Sequence, residues 1–272
     1  MKTFHLHLVS DSTGETIMAV SRACLVQFEN AHPIEHIWSM IRTDRQLEKV
    51  LDGVKANPGL VLYTLVDVKL RDSLEAGCRK LRVPFHAVLD PVLTALSRFL
   101  RQPATHLPGR QHALDAEYFG RIEAMDYAMA HDDGQALHAL DKADVILVGV
   151  SRTSKTPTCL YLANRGIKAA NVPVVPGVPL PAELDTITHA LIVGLTNDPG
   201  SLVHVRRNRL RMLNEQRETT YVDPDAVKAE VTAARRMFTQ RGWPVLDVSR
   251  RSIEETAAAI LDLYNAFRAK RA

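Results

Sequence analysis

The chain has 272 residues, 46% of them hydrophobic and 24% charged, with a formal net charge of +3. That is ordinary for a globular protein able to bury a core in one or two domains. The weak basic balance, without aromatic residues interleaved along a basic stripe, excludes an obvious nucleic-acid binder but suits an anionic ligand. No stretch approaches the ~20 apolar residues of a membrane span, and MKTFHLHLVSDSTGE reads as a first strand, not a leader, so a cytoplasmic protein is expected. Cys24, Cys78 and Cys159 lie far apart without CxxC spacing. They offer neither a zinc site nor a disulfide framework, and each is expected to be a small buried apolar residue.

In chain order, Phe4–Val9 alternates as a strand would, and the small-residue run Ser10–Thr16, SDSTGET, leads into a helix carrying Ile17, Val20, Cys24, Leu25 and Phe28. Such a run suits the carboxyl edge of an α/β sheet, where ligands bind. The simpler reading is helix capping by Ser12 or Thr13. The alternation repeats: strand 36–41, helix 44–55, strand 60–66, helix 68–81, strand 84–89, helix 91–100. Strands alternating with helices imply parallel pairing and right-handed crossovers. The fold class is therefore α/β, and RQPATHLPGR at 101–110 breaks the pattern with two prolines and a glycine. The expected domains are 1–104, a small α/β domain, and 105–272, a second α/β domain, both with mostly parallel sheets.

In the second half, Tyr118, Ile122, Met125 and Met129 fall at helical spacing and are expected to form a packed face. His131-Asp132-Asp133-Gly134 follows; Asp-Asp-Gly reads as a turn, and its carboxylates could also take Mg2+ or a hydroxyl proton. Val145–Val148 is a buried strand, Val172–Val178 an edge strand and Ala190–Thr196 a central one. The next helix carries Arg206, Arg207, Arg209 and Arg211, which cannot share one face; for each singly, a solvated position is the expectation. Asp223–Gln240 is an amphipathic helix, Val245–Val248 a short strand, and Ser252-Ile253-Glu254-Glu255 opens a last helix with a capping box. No internal repeat is visible.

The chemistry concentrates where strand 145–148 ends. Gly149-Val150-Ser151-Arg152-Thr153-Ser154-Lys155-Thr156 joins it to a helix with Pro157 in its first turn. Strand, small-residue loop, Lys-Thr and helix form the layout of a phosphate-binding loop: backbone N–H groups hold an anion, Lys meets its charge, and Thr can ligate Mg2+. The fit to G-x-x-x-x-G-K-[ST] is imperfect, because Ser154 stands where the second Gly belongs and its Cβ resists a left-handed backbone.

Taken together, SDSTGET at 10–16, HALDAEYFGRIEAMDYAMAHDDG at 112–134, VGVSRTSKTPTCLYLANRGIKAANVP at 148–173, Thr220–Asp223 and IEETAAAI at 253–260 resemble one family. It comprises the bifunctional regulatory proteins of pyruvate, phosphate dikinase and of phosphoenolpyruvate synthase. The resemblance covers nearly the whole chain in order, and the SDSTGET form is closer to the dikinase branch. It implies an ADP-dependent Ser/Thr kinase that moves the β-phosphate of ADP to a threonine near the partner's catalytic phosphohistidine, releasing AMP. It also implies reversal by inorganic phosphate, releasing pyrophosphate. The resemblance places the nucleotide segment at 149–156, expected to cradle the diphosphate. From the residues themselves, Lys155 would offset phosphoryl charge, Arg152 would clamp an oxygen, Thr156 would hold Mg2+, and Asp132 or Asp133 would be the base or the metal-side carboxylate. A P-loop kinase of a small molecule and a non-catalytic nucleotide sensor are the rival readings. A homodimer is left open.

Overall fold

The computed structural model describes residues 2–108, 116–212 and 220–271. It divides into two compact units, Met1–Ala113 and Leu114–Ala272. The first holds β1 (Lys2–Val9), α1 (Glu15–Leu25), β2 (Ala31–Trp38), α2 (Asp44–Ala56), β3 (Gly59–Tyr63), α3 (Val68–Leu81), β4 (Phe85–Ala87) and α4 (Asp90–Leu100). Its four strands pair in parallel in the order β2-β1-β3-β4.

The second unit begins with α5 (Ala116–Ala130) and two 3₁₀ turns, then β5 (Val145–Gly149), α6 (Lys155–Ala163), β6 (Ala169–Pro173) and β7 (Leu191–Thr196). It ends with α7 (Pro199–Met212), α8 (Pro224–Gln240), β8 (Val245–Asp247) and α9 (Ile253–Ala269). Its sheet is also parallel, in the order β6-β5-β7-β8. The α/β class with parallel sheets is thus present in both units, and the two sheets share one strand order although the sequence shows no repeat. In each, the chain turns opposite ways from the first strand and the third, so a crevice opens at the carboxyl ends between them. Alternation along β5 explains its burial. Ile146 and Val148 join a core with Leu202, Val227 and Phe238, whereas Val145 and Leu147 join another with Cys159, Leu162, Ile260 and Tyr264.

Several elements follow local signals closely. Thr43, Asp67, Asp223 and Ser252 cap α2, α3, α8 and α9 through their side chains, and Ser252 with Glu255 completes the capping box. Others depart from expectation. β2 lies five residues before the 36–41 start, through Pro33, because an edge strand tolerates a proline. Met40, in the left-handed region (φ 57°), turns the chain out of it. β6 stops at Pro173 instead of running to 178. The buried face of α5 is Ala124, Tyr127 and Ala128, at i, i+3 and i+4, with the half-buried Met125 packed beside it, while Ile122 and Met129 are exposed. Small alanines let α5 pack closely, which hydrophobicity alone does not signal. Cys78 and Cys159 are buried as expected but Cys24 is exposed. Residues 112–115 of the family block lie outside the described residues. No helix among the described residues is long and apolar enough to cross a membrane.

Candidate active site

The sheet edge of the second unit supplies a backbone loop with unusual torsions. β5 ends at Gly149, where a Cβ would meet Thr153 Oγ1 at 2.7 Å and Leu195 O at 2.8 Å, so only glycine fits. Arg152 (φ 73°) and Ser154 (φ 58°) are both left-handed, and Ser154 is the N-cap of α6. Two non-glycine residues in that region store backbone strain, a feature that clusters at functional sites. Thr153 turns inward, fully buried, and its Oγ1 donates to Val150 O at 2.9 Å. Gly149, Val150 and Thr153 therefore hold the loop's shape, while the N–H groups of the first turn of α6 have no intrahelical acceptor.

Lys155 opens α6 and is only 6% exposed. Its Nζ donates to Gly149 O at 2.8 Å and Val150 O at 3.1 Å. An ammonium has three donors, so one remains beyond those that pin the loop carbonyls back. Beside it, Thr156 Oγ1 donates to Asp132 Oδ1 at 2.8 Å. Asn171 Nδ2, from β6, donates to the same oxygen at 2.5 Å and to Thr156 Oγ1 at 3.0 Å. Asp133, left-handed at φ 54°, is exposed next to this group.

The loop is braced from α7. Arg206 is 1% exposed; Nη1 and Nη2 bond both carboxylate oxygens of Glu230 at 2.8 and 3.0 Å, Nη2 reaches Ser151 O at 3.1 Å, and Nη1 reaches Tyr221 O at 3.2 Å. The guanidinium also lies 4.6 Å from the Tyr221 ring centroid, and Tyr221 OH meets Ser151 Oγ at 3.0 Å. The solvated expectation is thus wrong for Arg206, which a buried carboxylate and two carbonyls hold inside, and right for Arg207, Arg209 and Arg211, which are exposed.

These parts line one cleft of ≈ 540 Å³ formed by Asp132, Asp133, Ser151, Arg152, Ser154, Lys155, Thr156 and Pro157, with Asn171, Arg209 and Tyr221. Of the residues singled out in the sequence, Gly149, Val150 and Thr153 do not line it. Asn171 was not foreseen; its one signal is an amide in the otherwise apolar run Ala169–Pro173. A second hollow, ≈ 470 Å³ in the first unit, is lined by Arg71, Arg98 and Arg101. There Arg71 is already paired with Asp72 and Asp90.

The first unit has its own sheet-edge loop, and its chemistry is inverted. Gly14 (φ 88°), not Ser12 or Thr13, stands at the N-cap position of α1. Glu15 then stands where α6 has Lys155. The buried Asp11 carboxylate crosses the crevice to accept from Val66 N at 2.7 Å. This loop thus carries acidic groups where the second unit's loop carries Lys155, with Arg42 Nε donating to Asp11 O at 2.9 Å.

Burial pushes the Lys155 ammonium down to about 8, against the pull of Asp133 and Asp132. The folded chain then holds this proton less tightly than the unfolded chain, so folding stability from this group rises with pH between about 8 and 10.5. Measured against Lys155→Met, wild-type stability should gain on the order of 3 kcal/mol across that window, at ~1.4 kcal/mol per unit of pKa. Denaturant melts at stepped pH check this; a constant gap between the two proteins would contradict it.

Residues 6–261 match the family model described as kinase/pyrophosphorylase. The chain belongs to the kinase/pyrophosphorylase family. The match runs through both units. Among relatives, a protein of Paramagnetospirillum magneticum is 57% identical over 271 residues, covering 100% of this chain and 87% of its own. One of Caulobacter vibrioides is 56% identical, covering 98% and 85%, and one of Sphingopyxis alaskensis 53%, covering 97% of each. All three carry the provisional name of pyruvate, phosphate dikinase regulatory protein. Within the kinase/pyrophosphorylase family, then, the relatives' name concerns a regulator of that enzyme.

Proposed function

We propose that this chain is an ADP-dependent Ser/Thr protein kinase and a phosphate-dependent phosphorylase acting on pyruvate, phosphate dikinase. The observation that carries the reading is the cleft itself. A buried, partly spare lysine cation lies under a strained strand-to-helix loop, opposite a hydroxyl, an amide and two carboxylates. The relatives' name supports the dikinase over phosphoenolpyruvate synthase as partner.

In the forward direction the threonine oxygen of the target attacks the β-phosphorus of ADP. The bond from that phosphorus to the bridging oxygen breaks, AMP leaves, and the hydroxyl proton passes to a carboxylate. Asp133 is the better base, because it is exposed to the cleft while Asp132 Oδ1 is already engaged by Thr156 and Asn171. Lys155, Arg152 and Arg209 supply cationic donors to the phosphoryl oxygens. In reverse, an oxygen of inorganic phosphate attacks the threonyl phosphorus, the bond to the threonine oxygen breaks, that oxygen recovers the proton, and pyrophosphate leaves. Both directions develop charge on the same phosphoryl group, so one set of donors serves both.

Mg2+ fits this donor set. Among the described residues no cluster of three His, Cys, Asp or Glu side chains is placed to cage a metal. The Thr156 hydroxyl and the Asp132 carboxylate, 2.8 Å apart, match a cation that takes one or two protein oxygens plus substrate phosphates. When bound, it would offset charge on the nucleotide phosphates.

The test is intact mass of purified pyruvate, phosphate dikinase and phosphoenolpyruvate synthase, each loaded as the phosphohistidine form, after incubation with the protein, ADP and Mg2+. A stable added phosphate on the dikinase, removed when inorganic phosphate replaces ADP, is expected. No gain on either target would overturn the protein-kinase reading in favour of a small-molecule acceptor.

A further inference from the structure

Asn171 lines the cleft and engages Asp132 Oδ1, yet its amide is costly to bury in its strand. It is 2% exposed on edge strand β6, between the buried Ala170 and Val172. Its Oδ1 is buried without a hydrogen-bond partner among the described residues. An apolar residue there would avoid that desolvation entirely, and a buried orphan acceptor calls for a functional explanation.

The rest of its bonding supplies one. Asn171 N donates to His131 O at 3.0 Å, which ties the turn carrying Asp132 to the sheet. Its Nδ2 then reaches Asp132 Oδ1 at 2.5 Å and Thr156 Oγ1 at 3.0 Å. One residue thus fixes Asp132 by main chain and side chain together. The turn needs it: Asp133, Gly134 and Ala136 are all left-handed (φ 54°, 78°, 50°), so nothing in its own torsions is regular enough to aim a carboxylate.

We propose that Asn171 is a positioning residue, which acts by holding Asp132 against Thr156 so that a divalent cation accompanying the nucleotide finds both oxygens in place. This rests on the phosphoryl-transfer reading of the cleft. Residues that orient a metal's ligands typically cost 10–100-fold in metal affinity or activity when removed.

The experiment is a double-mutant cycle. Mn2+ affinity in the presence of ADP, read by electron paramagnetic resonance, and kcat on the dikinase are measured for Asn171→Ala, Asp132→Ala and the double variant. Asn171→Leu, which fills the volume without the donor, guards against a cavity effect. Expected for either Asn171 variant is a Mn2+ affinity and a kcat each lower by about 10–100-fold, with unchanged metal-free ADP affinity. In the Asp132→Ala background, Asn171→Ala should add little. A full-sized loss in that background, or ADP affinity falling together with metal affinity, overturns the proposal. If the wild type transfers no phosphate to any target, the functional reading fails, and the Mn2+ cycle still decides the role of Asn171.

Discussion

Lys155→Met is expected to lower both phosphoryl transfer and its reversal by about 10²–10³-fold, the scale of losing one preorganised charge partner, while the chain stays folded. The reason for the separation lies in the loop carbonyls. Lys155 Nζ donates to Gly149 O and Val150 O, but each has a second donor: Val174 N reaches Gly149 O at 2.9 Å and Thr153 Oγ1 reaches Val150 O at 2.9 Å. Methionine therefore leaves neither carbonyl orphaned, and it fills most of the lysine's volume with atoms that suit burial. What disappears is the cation, whose burial is a cost to the fold. Single-turnover rates in both directions, set beside a thermal melt, separate the two. Full activity in either direction would remove Lys155 from the chemistry, and a collapsed melt would make it a structural residue.

Glu230→Ala should produce the largest loss of stability. Arg206 and Glu230 have side chains 1% and 10% exposed and form a two-pronged ion pair. Removing one member of such a pair strands the other charge in the interior, at about 3–5 kcal/mol. For a unit of this size that corresponds to a fall in melting temperature of roughly 10 °C. Replacing both, as Arg206→Met with Glu230→Leu, should restore most of the stability, because a well-packed apolar pair can stand in for a buried ion pair. It should not restore nucleotide binding, since the guanidinium also holds Ser151 O and Tyr221 O beside the cleft. Calorimetric melts and ADP titrations on the two variants check this. Wild-type ADP affinity in the double variant would contradict the bracing role.

What the sequence discloses about this molecule follows the range of each interaction. Thr43, Asp67, Asp223 and Ser252 cap helices with acceptors three residues from their donors, so those helix starts are legible from a short window. The loop 149–156 is legible for the same reason, including the strain at Ser154, because its small residues, lysine and following helix are contiguous. The edge strand β2 is not, since only its place beside β1 makes Pro33 acceptable. Nor is the packed face of α5, where Ala124 and Ala128 matter by being small. Arg206 finds Glu230 24 residues later and Asn171 finds Asp132 39 residues earlier. Nothing local marks either partner. The shared strand order of the two sheets is equally hidden, because their loops have opposite charge at the helix start, Glu15 against Lys155.

The most direct test of the account is the fate of ADP radiolabelled on its β phosphorus, with the dikinase, Mg2+ and the wild-type protein. Label on a threonine of the dikinase, unlabelled AMP in solution, and release of that label as pyrophosphate on adding inorganic phosphate are the predicted results. Label that stays in the nucleotide pool, or that reaches the dikinase only when carried on the α phosphorus, would contradict the assignment of this cleft to β-phosphoryl transfer.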